Sequence, residues 1–171
     1  GVNPASVSIS TKSSEHLVSL SQQYKVIKSS NEDIIKNCQV IFLATKPQGS
    51  EELLNGLKPE FSGNQLLITV LAGKKTTFFE KILGEQVRVI RAMPNTPALV
   101  GKGVTGLAKG KNATDKDLEI AQKLFLSVGK VVIVDENLID VVAAASGSGP
   151  AYFFYVTEAI TEAAVELGLS K

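Results

Sequence analysis

The stretch Val87-Arg-Val-Ile-Arg-Ala-Met-Pro-Asn-Thr-Pro-Ala-Leu-Val-Gly-Lys-Gly-Val-Thr-Gly106 decides the fold of this chain. Its apolar first half predicts a buried strand, and Pro94 removes a backbone donor where that strand should stop. A polar loop follows, in which two prolines flank Asn95 and Thr96. Ligands of open α/β sheets bind beyond the carboxyl ends of the strands, so both side chains are candidates for ligand binding. Pro-Asn-Thr-Pro is also ordinary turn chemistry, and the fragment alone fits a rigid turn equally well.

Short apolar runs alternate with helical segments on both sides of this stretch. The apolar runs predict further strands at Val7–Ile9, Tyr24–Ile27, Gln39–Thr45, Gln65–Leu71, Val104–Ala108 and Val131–Val134. Helical spacing predicts helices after Ser14, from Asn31, over Glu51–Leu57, over Thr76–Leu83 and from Thr114. This alternation indicates an α/β fold with a doubly wound parallel sheet, in which the strand at Gln39–Thr45 is apolar enough to be buried on both faces. Gly101, Gly103 and Gly106 predict tight turns and form no GxGxxG fingerprint.

Composition limits the classes of partner. The 171 residues include 18 Lys and Arg against 17 Asp and Glu, a net charge of +1, and nucleic acid or a membrane surface as the main partner would favour a basic excess. No apolar run is long enough for a membrane helix, and we expect a cytoplasmic protein. Cys38 is the only cysteine, which excludes an internal disulfide and fits a structural role. His16 is the only histidine, and we expect no metal site.

Thr11, Lys12 and Ser13 follow the first predicted strand. In dinucleotide-binding folds that bind NAD, an acidic residue at this place holds the 2′-hydroxyl of the ribose. Here two hydroxyls and a cation occupy it instead, and these groups suit a 2′-phosphate. Spacing alone favours the other interpretation, a capped turn with a solvated lysine.

Two more segments share the order and spacing of a known family. Ala44-Thr-Lys-Pro-Gln48, the stretch from Val87 to Gly106, and Ser146-Gly-Ser-Gly-Pro-Ala-Tyr152 together resemble pyrroline-5-carboxylate reductase. The resemblance extends from about Ser6 to Lys171. It implies a Rossmann-like fold and an oxidoreductase that reduces 1-pyrroline-5-carboxylate, a cyclic imine, to L-proline in the last step of proline biosynthesis. The implied cofactor is NADP, with NAD as the alternative.

The resemblance also assigns binding residues by position. The implied cofactor-binding residues are Thr11, Lys12, Ser13, Asn31, Ala44, Thr45, Lys46, Pro47, Ala72, Gly73 and Asn95. Asn95 and Thr96 are the implied substrate-binding residues, and no catalytic residue is assigned. Two of these positions keep a simpler explanation, because Asn31 or Ser30 can cap a helix and Lys46 can be solvated.

The sequence predicts two domains. Residues 1–145 form the dinucleotide-binding domain, and residues 146–171 are the first helix of an all-helical dimerisation domain that implies a homodimer or higher homo-oligomer. Ser146-Gly-Ser-Gly-Pro150 predicts a flexible turn before that helix, with the proline near its start. Glu158, Glu162 and Glu166 recur every four residues and predict an exposed acidic stripe beside small packing residues.

The strand, glycine-rich loop and helix that open a complete dinucleotide fold have no counterpart in this sequence. In the strand order 3-2-1-4-5-6 the strand without a counterpart is central, so the strands at Val7 and Val26 should have no partner joining them to the one at Val40. We therefore expect either a segment of a longer protein or a strand supplied by another chain. The phosphate loop and the substrate lid lie outside this segment, and we expect the isolated 171-residue chain to be inactive.

The sequence leaves two other functions open. An incomplete fold of this kind can be a nucleotide-binding or regulatory module that performs no chemistry. A related reductase of a hydroxy acid is the third alternative. Cofactor oxidation measured with and without the cyclic imine separates a reductase from a binding module.

Overall fold

A computed structural model describes residues 2–170, so Gly1 and Lys171, at the outer ends of the two predicted domains, lie outside the described residues. The strands are β1 (Ser8–Ile9), β2 (Ile27–Lys28), β3 (Val40–Leu43), β4 (Leu66–Thr69), β5 (Arg88–Met93), β6 (Gly103–Lys109) and β7 (Gly129–Ile133). The helices are α1 (Ser14–Tyr24), α2 (Asn31–Asn37), α3 (Ser50–Leu57), α4 (Thr76–Leu83), α5 (Asp115–Leu126), α6 (Ile139–Val142) and α7 (Gly149–Glu166). Short 3-10 helices cover Pro4–Ser6, Lys58–Glu60, Thr96–Val100 and Glu136–Leu138, and a π-helical segment covers Ala143–Gly147.

The described strands form two separate sheets. β1 and β2 pair in parallel, and the other sheet has the order β3-β4-β5-β6-β7. In the larger sheet Ile41 lies opposite Leu67, and Leu67 lies opposite Val89. The α/β prediction is confirmed, and so is the prediction that the first two strands have no partner joining them to the third.

One pair departs from the predicted parallel sheet, because β6 runs antiparallel to β5. Residues 94–102 connect the two strands through the 3-10 helix Thr96–Val100. A parallel crossover needs about a dozen residues or more. This connection is therefore too short to bring the chain back to the amino end of β5, where a parallel neighbour would have to begin. Gly103 and Gly106, predicted to form turns, lie within β6, while Gly101 ends the 3-10 helix with a φ of 69°.

The larger sheet separates two apolar layers. On one face Leu67, Phe79 and Val89 belong to a buried cluster with residues of α2, α3 and α4, and the partly buried Cys38 packs against it. On the other face Ile68, Ile90 and Leu107 form a buried cluster with Phe125 and other residues of α5. The central strands β4 and β5 are therefore fixed by burial on both faces, which places the residues that follow them on a rigid support.

Side-chain caps fix where the predicted helices begin. Ser13 rather than Ser14 caps α1, since its hydroxyl accepts from His16 N at 3.2 Å. Ser30 caps α2 by accepting from Asp33 N at 3.0 Å. Thr114 forms a capping box at the start of α5. The strand predicted from Tyr24 begins three residues later at Ile27, because α1 continues to Tyr24 and a left-handed turn follows.

The predicted flexible turn at Ser146-Gly-Ser-Gly-Pro150 is wrong. The π-helical segment passes directly into α7 through Ser148, whose φ and ψ of −84° and −23° are helical. Pro150 lies in the first turn of α7 as expected, and its missing N–H leaves a carbonyl of the preceding helical segment without a donor from α7. Almost every residue of α7 is exposed, including the predicted acidic stripe and the aromatic residues Tyr152, Phe153, Phe154 and Tyr155.

Candidate cofactor site

An apolar groove separates the two sheets. The groove has a volume of about 860 Å³ and lies between the residues of β1 and those of β3. Val7, Ile9 and Thr11 line one wall, and Ile41 and Leu43 belong to the other. Strand edges that face each other across such a gap expose unpaired backbone donors and acceptors.

Phe42 of β3 has a side chain that lies beside this groove. It lies in the groove lining, contacts Phe125 with ring centroids 5.6 Å apart, and is 46% exposed. The sequence predicted a strand buried on both faces, and this prediction fails at Phe42. The reason is that β3 is the edge strand of the larger sheet, where α5 covers the Phe42 side chain only in part through Phe125.

Four of the predicted cofactor-binding residues line this groove. Thr11 follows β1, Asn31 begins α2, and Ala44 and Thr45 follow β3. The other predicted positions lie outside the groove lining but follow the carboxyl ends of neighbouring strands: Lys46 and Pro47 after β3, Ala72 and Gly73 after β4, Asn95 and Thr96 after β5. The predicted residues that follow β3, β4 and β5 therefore lie at the carboxyl ends of neighbouring parallel strands, where open α/β sheets bind ligands, while those that follow β1 and β2 belong to the other sheet.

The hydroxyls after β1 are already used in a local turn. Thr11 Oγ1 donates to the carbonyl of Ser13 at 3.1 Å and accepts from Ser13 N at 3.1 Å. Ser13 Oγ caps α1. Lys12 between them is exposed, at the amino end of an 11-residue helix whose first N–H groups favour an anion. The hydroxyls of Thr11 and Ser13 thus serve the turn and the helix cap, as the capped-turn interpretation predicts. A 2′-phosphate bound here would interact chiefly with the Lys12 ammonium.

Asn95 holds the loop after β5 by three hydrogen bonds. Its Oδ1 accepts from Val104 N at 2.9 Å. Its Nδ2 donates to the carbonyl oxygen and to Oγ of Ser146, both at 3.2 Å. The side chain therefore joins the Pro-Asn-Thr-Pro loop to β6 and to the segment before α7, while Thr96 beside it is exposed.

Ser146 was not among the predicted site residues. Its carbonyl lies four residues before Pro150, where an α-helix would pair it with a backbone N–H. Pro150 has no N–H, so this carbonyl is free to accept from Asn95 instead. The proline in the sequence is the signal for a carbonyl that needs another donor, although it does not identify which donor.

Arg91 is a second residue that sequence reasoning missed. It continues the row of Val87 and Val89 on one face of β5, and it is only 1% exposed. Its Nη2 donates to Asp140 Oδ1 at 2.6 Å, while Nη1 lies 4.0 Å from Glu136 Oε1. The alternation of β5 places residue 91 in the core, and this pattern was the available signal.

The ion pair between Lys109 and Asp115 lies away from this edge of the sheet. The pKa of Asp115 is lowered below its ordinary value of 3.8 by a hydrogen bond from Lys109 and by the charge of that lysine, and burial opposes the shift slightly. This pair lies at the start of α5, on the exposed surface.

Among residues 2–170 no three His, Cys, Asp or Glu side chains are arranged to hold a metal ion. None of the described helices is long and apolar enough to cross a membrane.

Two family models match parts of the chain. The model of pyrroline-5-carboxylate reductase dimerisation matches residues 136–171. The model of coenzyme F420-dependent NADP oxidoreductases matches residues 1–73. The first match covers α6 and α7, and the second covers β1 to β4 with their connecting helices.

Individual relatives agree with these matches. Pyrroline-5-carboxylate reductase of Mycobacterium tuberculosis is 42% identical over 158 residues, which cover 89% of this chain and 54% of the relative. A solved structure of a pyrroline-5-carboxylate reductase from Coxiella burnetii is similar with a TM-score of 0.88 and 34% identity, over 98% of this chain and 63% of that one. The Plasmodium falciparum pyrroline carboxylate reductase, solved with NADP bound, has a TM-score of 0.80 and 34% identity, over 85% and 55%. The chain spans about half the length of the curated relatives it matches.

Proposed function

Because this chain belongs to the pyrroline-5-carboxylate reductase family, we propose that it is the cofactor-binding part of an enzyme that reduces 1-pyrroline-5-carboxylate to L-proline with NADPH. The observation that supports the proposal is that Thr11, Asn31, Ala44 and Thr45 line one groove between the two sheets, and that further assigned residues follow the carboxyl ends of the parallel strands β3, β4 and β5. NADPH supplies the hydride for the C=N carbon when it is bound. The residues of this chain bind the cofactor and orient it toward the imine.

The residues present fit NADP better than NAD. The turn after β1 has an exposed lysine and no carboxylate, so it offers a cation to a 2′-phosphate and no anionic acceptor to a 2′-hydroxyl. Asn31 and Thr45 add polar groups to the groove. Ala44 has a side chain small enough to let the backbone approach a flat ring closely.

The loop after β5 provides the substrate side of the site in this proposal. Asn95 is held on a rigid element by its three bonds, and Thr96 presents an exposed hydroxyl beside it. A second acceptor position on Asn95 Oδ1 stays available for a ligand, because an amide oxygen has two lone pairs. Their role is to hold the imine against the nicotinamide and to keep water out, since positioning supplies most of the catalysis.

A further parallel strand completes this sheet in the proposed protein. The groove has the lining such a strand needs, with apolar side chains from both walls and facing strand edges. Residues 1–145 would then form one cofactor domain, and residues 146–171 the start of a helical domain. The exposed aromatic residues of α7 favour assembly with a second copy, as a homodimer or larger homo-oligomer in the cytoplasm.

A nucleotide-binding or regulatory module without chemistry is the alternative function. The natural polypeptide that carries this sequence should oxidise NADPH only when the cyclic imine is present, with L-proline as the product. Binding of NADPH without imine-dependent oxidation would favour the module. A hydroxy acid that replaces the imine as the better substrate would contradict the proposal.

Substitution of Lys12 tests the cofactor assignment. Lys12→Asp puts a carboxylate where the 2′-phosphate would lie, so it should weaken binding of NADPH more than binding of NADH. A charge-assisted contact contributes roughly 1.5–3 kcal/mol, and the affinity ratio should therefore change by about tenfold or more. Titration of both cofactors measures the ratio.

Lys116→Asp is the matched control, because Lys116 is equally exposed but lies in the first turn of α5. It makes the same charge change away from β1. An affinity ratio that is unchanged in Lys12→Asp, or changed as much in Lys116→Asp, would remove Lys12 from the cofactor site.

A further inference from the structure

The segment from Glu136 to Ser146 joins the sheet to α7, and polar side chains hold it at both ends. Glu136 accepts from Thr76 N at 2.6 Å and from Thr76 Oγ1 at 2.8 Å, at the start of α4. Ser146 accepts from Asn95. Between these points Ile139 is fully buried, and Val142 packs so closely on β6 that a Cβ at Gly106 would lie 3.0 Å from its Cγ1. This junction therefore packs against the sheet instead of behaving as a free linker.

Arg91 lies beneath the junction. It is on the face of β5 that also carries Val89, which is the face covered by α4 and α6. Its guanidinium donates to Asp140 and faces Glu136, so both carboxylates of the junction are directed at one buried cation. Arg91 Nε and Nη1 are buried with no hydrogen-bond partner among the described residues.

A buried guanidinium with unsatisfied donors is a poor way to stabilise a fold. The cost of burying a charge is comparable to the gain from a well-made ion pair, and an apolar side chain of similar volume is often as stable. Its ion pair with Asp140 is directional, however, and fixes where the first turn of α6 lies. The contact thus determines position more than it contributes to stability.

We propose that Arg91 is a positioning residue for the reductase reaction, which holds the junction through Asp140 and so fixes where Ser146 and α7 lie relative to the loop after β5. The role rests on the proposed function, because it concerns the alignment of the substrate side with the cofactor side. Arg91 itself touches neither Asn95 nor Ser146 in a hydrogen bond. Its effect passes through α6, whose four residues lead directly into the π-helical segment.

Hydrogen exchange of this 171-residue chain tests the contact independently of any activity. Arg91→Met removes the charge and keeps the volume, and it leaves Asp140 solvated because that side chain is 59% exposed. The amides of Ala143 and Ser148 should then exchange about tenfold faster or more, while the amides of β4 change less than about threefold. Asp140→Asn, which keeps the shape of the acceptor, should have the same effect in the same amides to a smaller degree.

Arg88→Met is the matched control, since Arg88 lies on the same strand and pairs with Asp117 at 2.6 Å on α5. It should speed exchange in the first turn of α5 and leave the junction unchanged. Unchanged exchange of Ala143 and Ser148 in both Arg91→Met and Asp140→Asn would overturn the proposal. Asp140→Asn keeps the test valid if Arg91→Met does not fold.

Kinetics of the natural polypeptide separate a positioning role from a merely structural one. In Arg91→Met we expect kcat for imine reduction to fall by about tenfold, while the Kd for NADPH stays within about twofold of its value in the unsubstituted polypeptide. The reason is that the substitution changes only how Ser146 and α7 are aligned with the loop after β5. A Kd that rises as much as kcat falls would overturn the positioning role. Absence of imine reduction in the unsubstituted polypeptide would refute the proposed function alone, since the exchange result would still stand.

Discussion

Asn95 shows how one side chain can combine a structural and a ligand-binding position. Its amide makes three hydrogen bonds to Val104 and Ser146, so it is fixed before any ligand arrives. The sequence left open whether Pro-Asn-Thr-Pro is a turn or a site. The structure gives Asn95 a structural role, and the proposed ligand contact adds to that role without replacing it.

Asn95→Ala should therefore affect both stability and catalysis. Loss of these hydrogen bonds should lower the free energy of unfolding by about 1–3 kcal/mol, because Val104 N and the Ser146 carbonyl lose a partner in a half-buried place. Catalytic efficiency per folded molecule should fall by roughly tenfold to a hundredfold. Urea unfolding measures the first effect, and kcat/KM of the natural polypeptide measures the second.

Asn112→Ala is the control for this prediction. Asn112 Nδ2 also donates to a backbone carbonyl, that of Glu85, but this contact is exposed and lies outside the groove lining. Its removal should change both quantities little. Unchanged kinetics in a stably folded Asn95→Ala protein would return the loop after β5 to a purely structural role.

The connection from β5 to β6 determines the position of the loop that is proposed to bind the substrate. The 3-10 helix Thr96–Val100 folds back on the start of β6, and its close approach depends on Gly103. A Cβ at Gly103 would lie 2.8 Å from Ala98 Cβ and 2.9 Å from Ala98 Cα. Both atoms are fixed by the helical turn, so a side chain at 103 must push the loop away from the strand.

Gly103→Ala should destabilise the protein by about 1–3 kcal/mol through this overlap. Gly56→Ala is the matched control, because Gly56 lies in α3 with nothing near its absent Cβ. The same chemical change there should stabilise the protein by about 0.5–1 kcal/mol, since alanine favours a helix over glycine. Thermal unfolding should therefore shift in opposite directions for the two variants. An unchanged or raised unfolding temperature of Gly103→Ala would contradict the close approach at Ala98.

Elements were predictable from the sequence wherever local signals agreed. The helix Thr76–Leu83 was predicted with its observed bounds, and Thr114 caps α5 as expected. The antiparallel β5–β6 pair was missed, because the direction of a strand depends on its connection and partner as well as on its apolar pattern.

The sequence predicts where candidate site residues lie along the chain better than it predicts which residues they contact. Asn95 was singled out, whereas its partner Ser146 is distant in the sequence and no local pattern links the two. Arg91 was missed because charged residues are usually exposed, and only its alternation with Val89 indicates burial. Contacts between distant segments depend on the packed fold, which local patterns do not encode.

The whole molecule is divided at the groove. The central strands β4, β5 and β6 of the larger sheet are mostly buried, whereas β1 and β2 pair over two residues each, and both residues of β2 are exposed. Short strands without a third neighbour are marginally stable. The proposed strand in the groove would join the two sheets, and without it β1 and β2 should open independently of the larger sheet.

Amide exchange within this 171-residue chain measures that independence. Ile27 N and Ser29 N donate across β1 and β2 to Val7 and Ile9 carbonyls at 2.9 and 3.0 Å, and Leu66 N and Val70 N donate across β3 and β4 to Gln39 and Leu43 carbonyls at 2.8 and 3.2 Å. The hydrogen bonds are similar in length, so they serve as matched controls for one another. We expect the first two amides to exchange about a hundredfold faster or more, because local opening of β1 and β2 leaves the buried sheet intact. Equal exchange in all four would mean that the chain opens as one unit, and the groove would then need no further strand to hold its walls together.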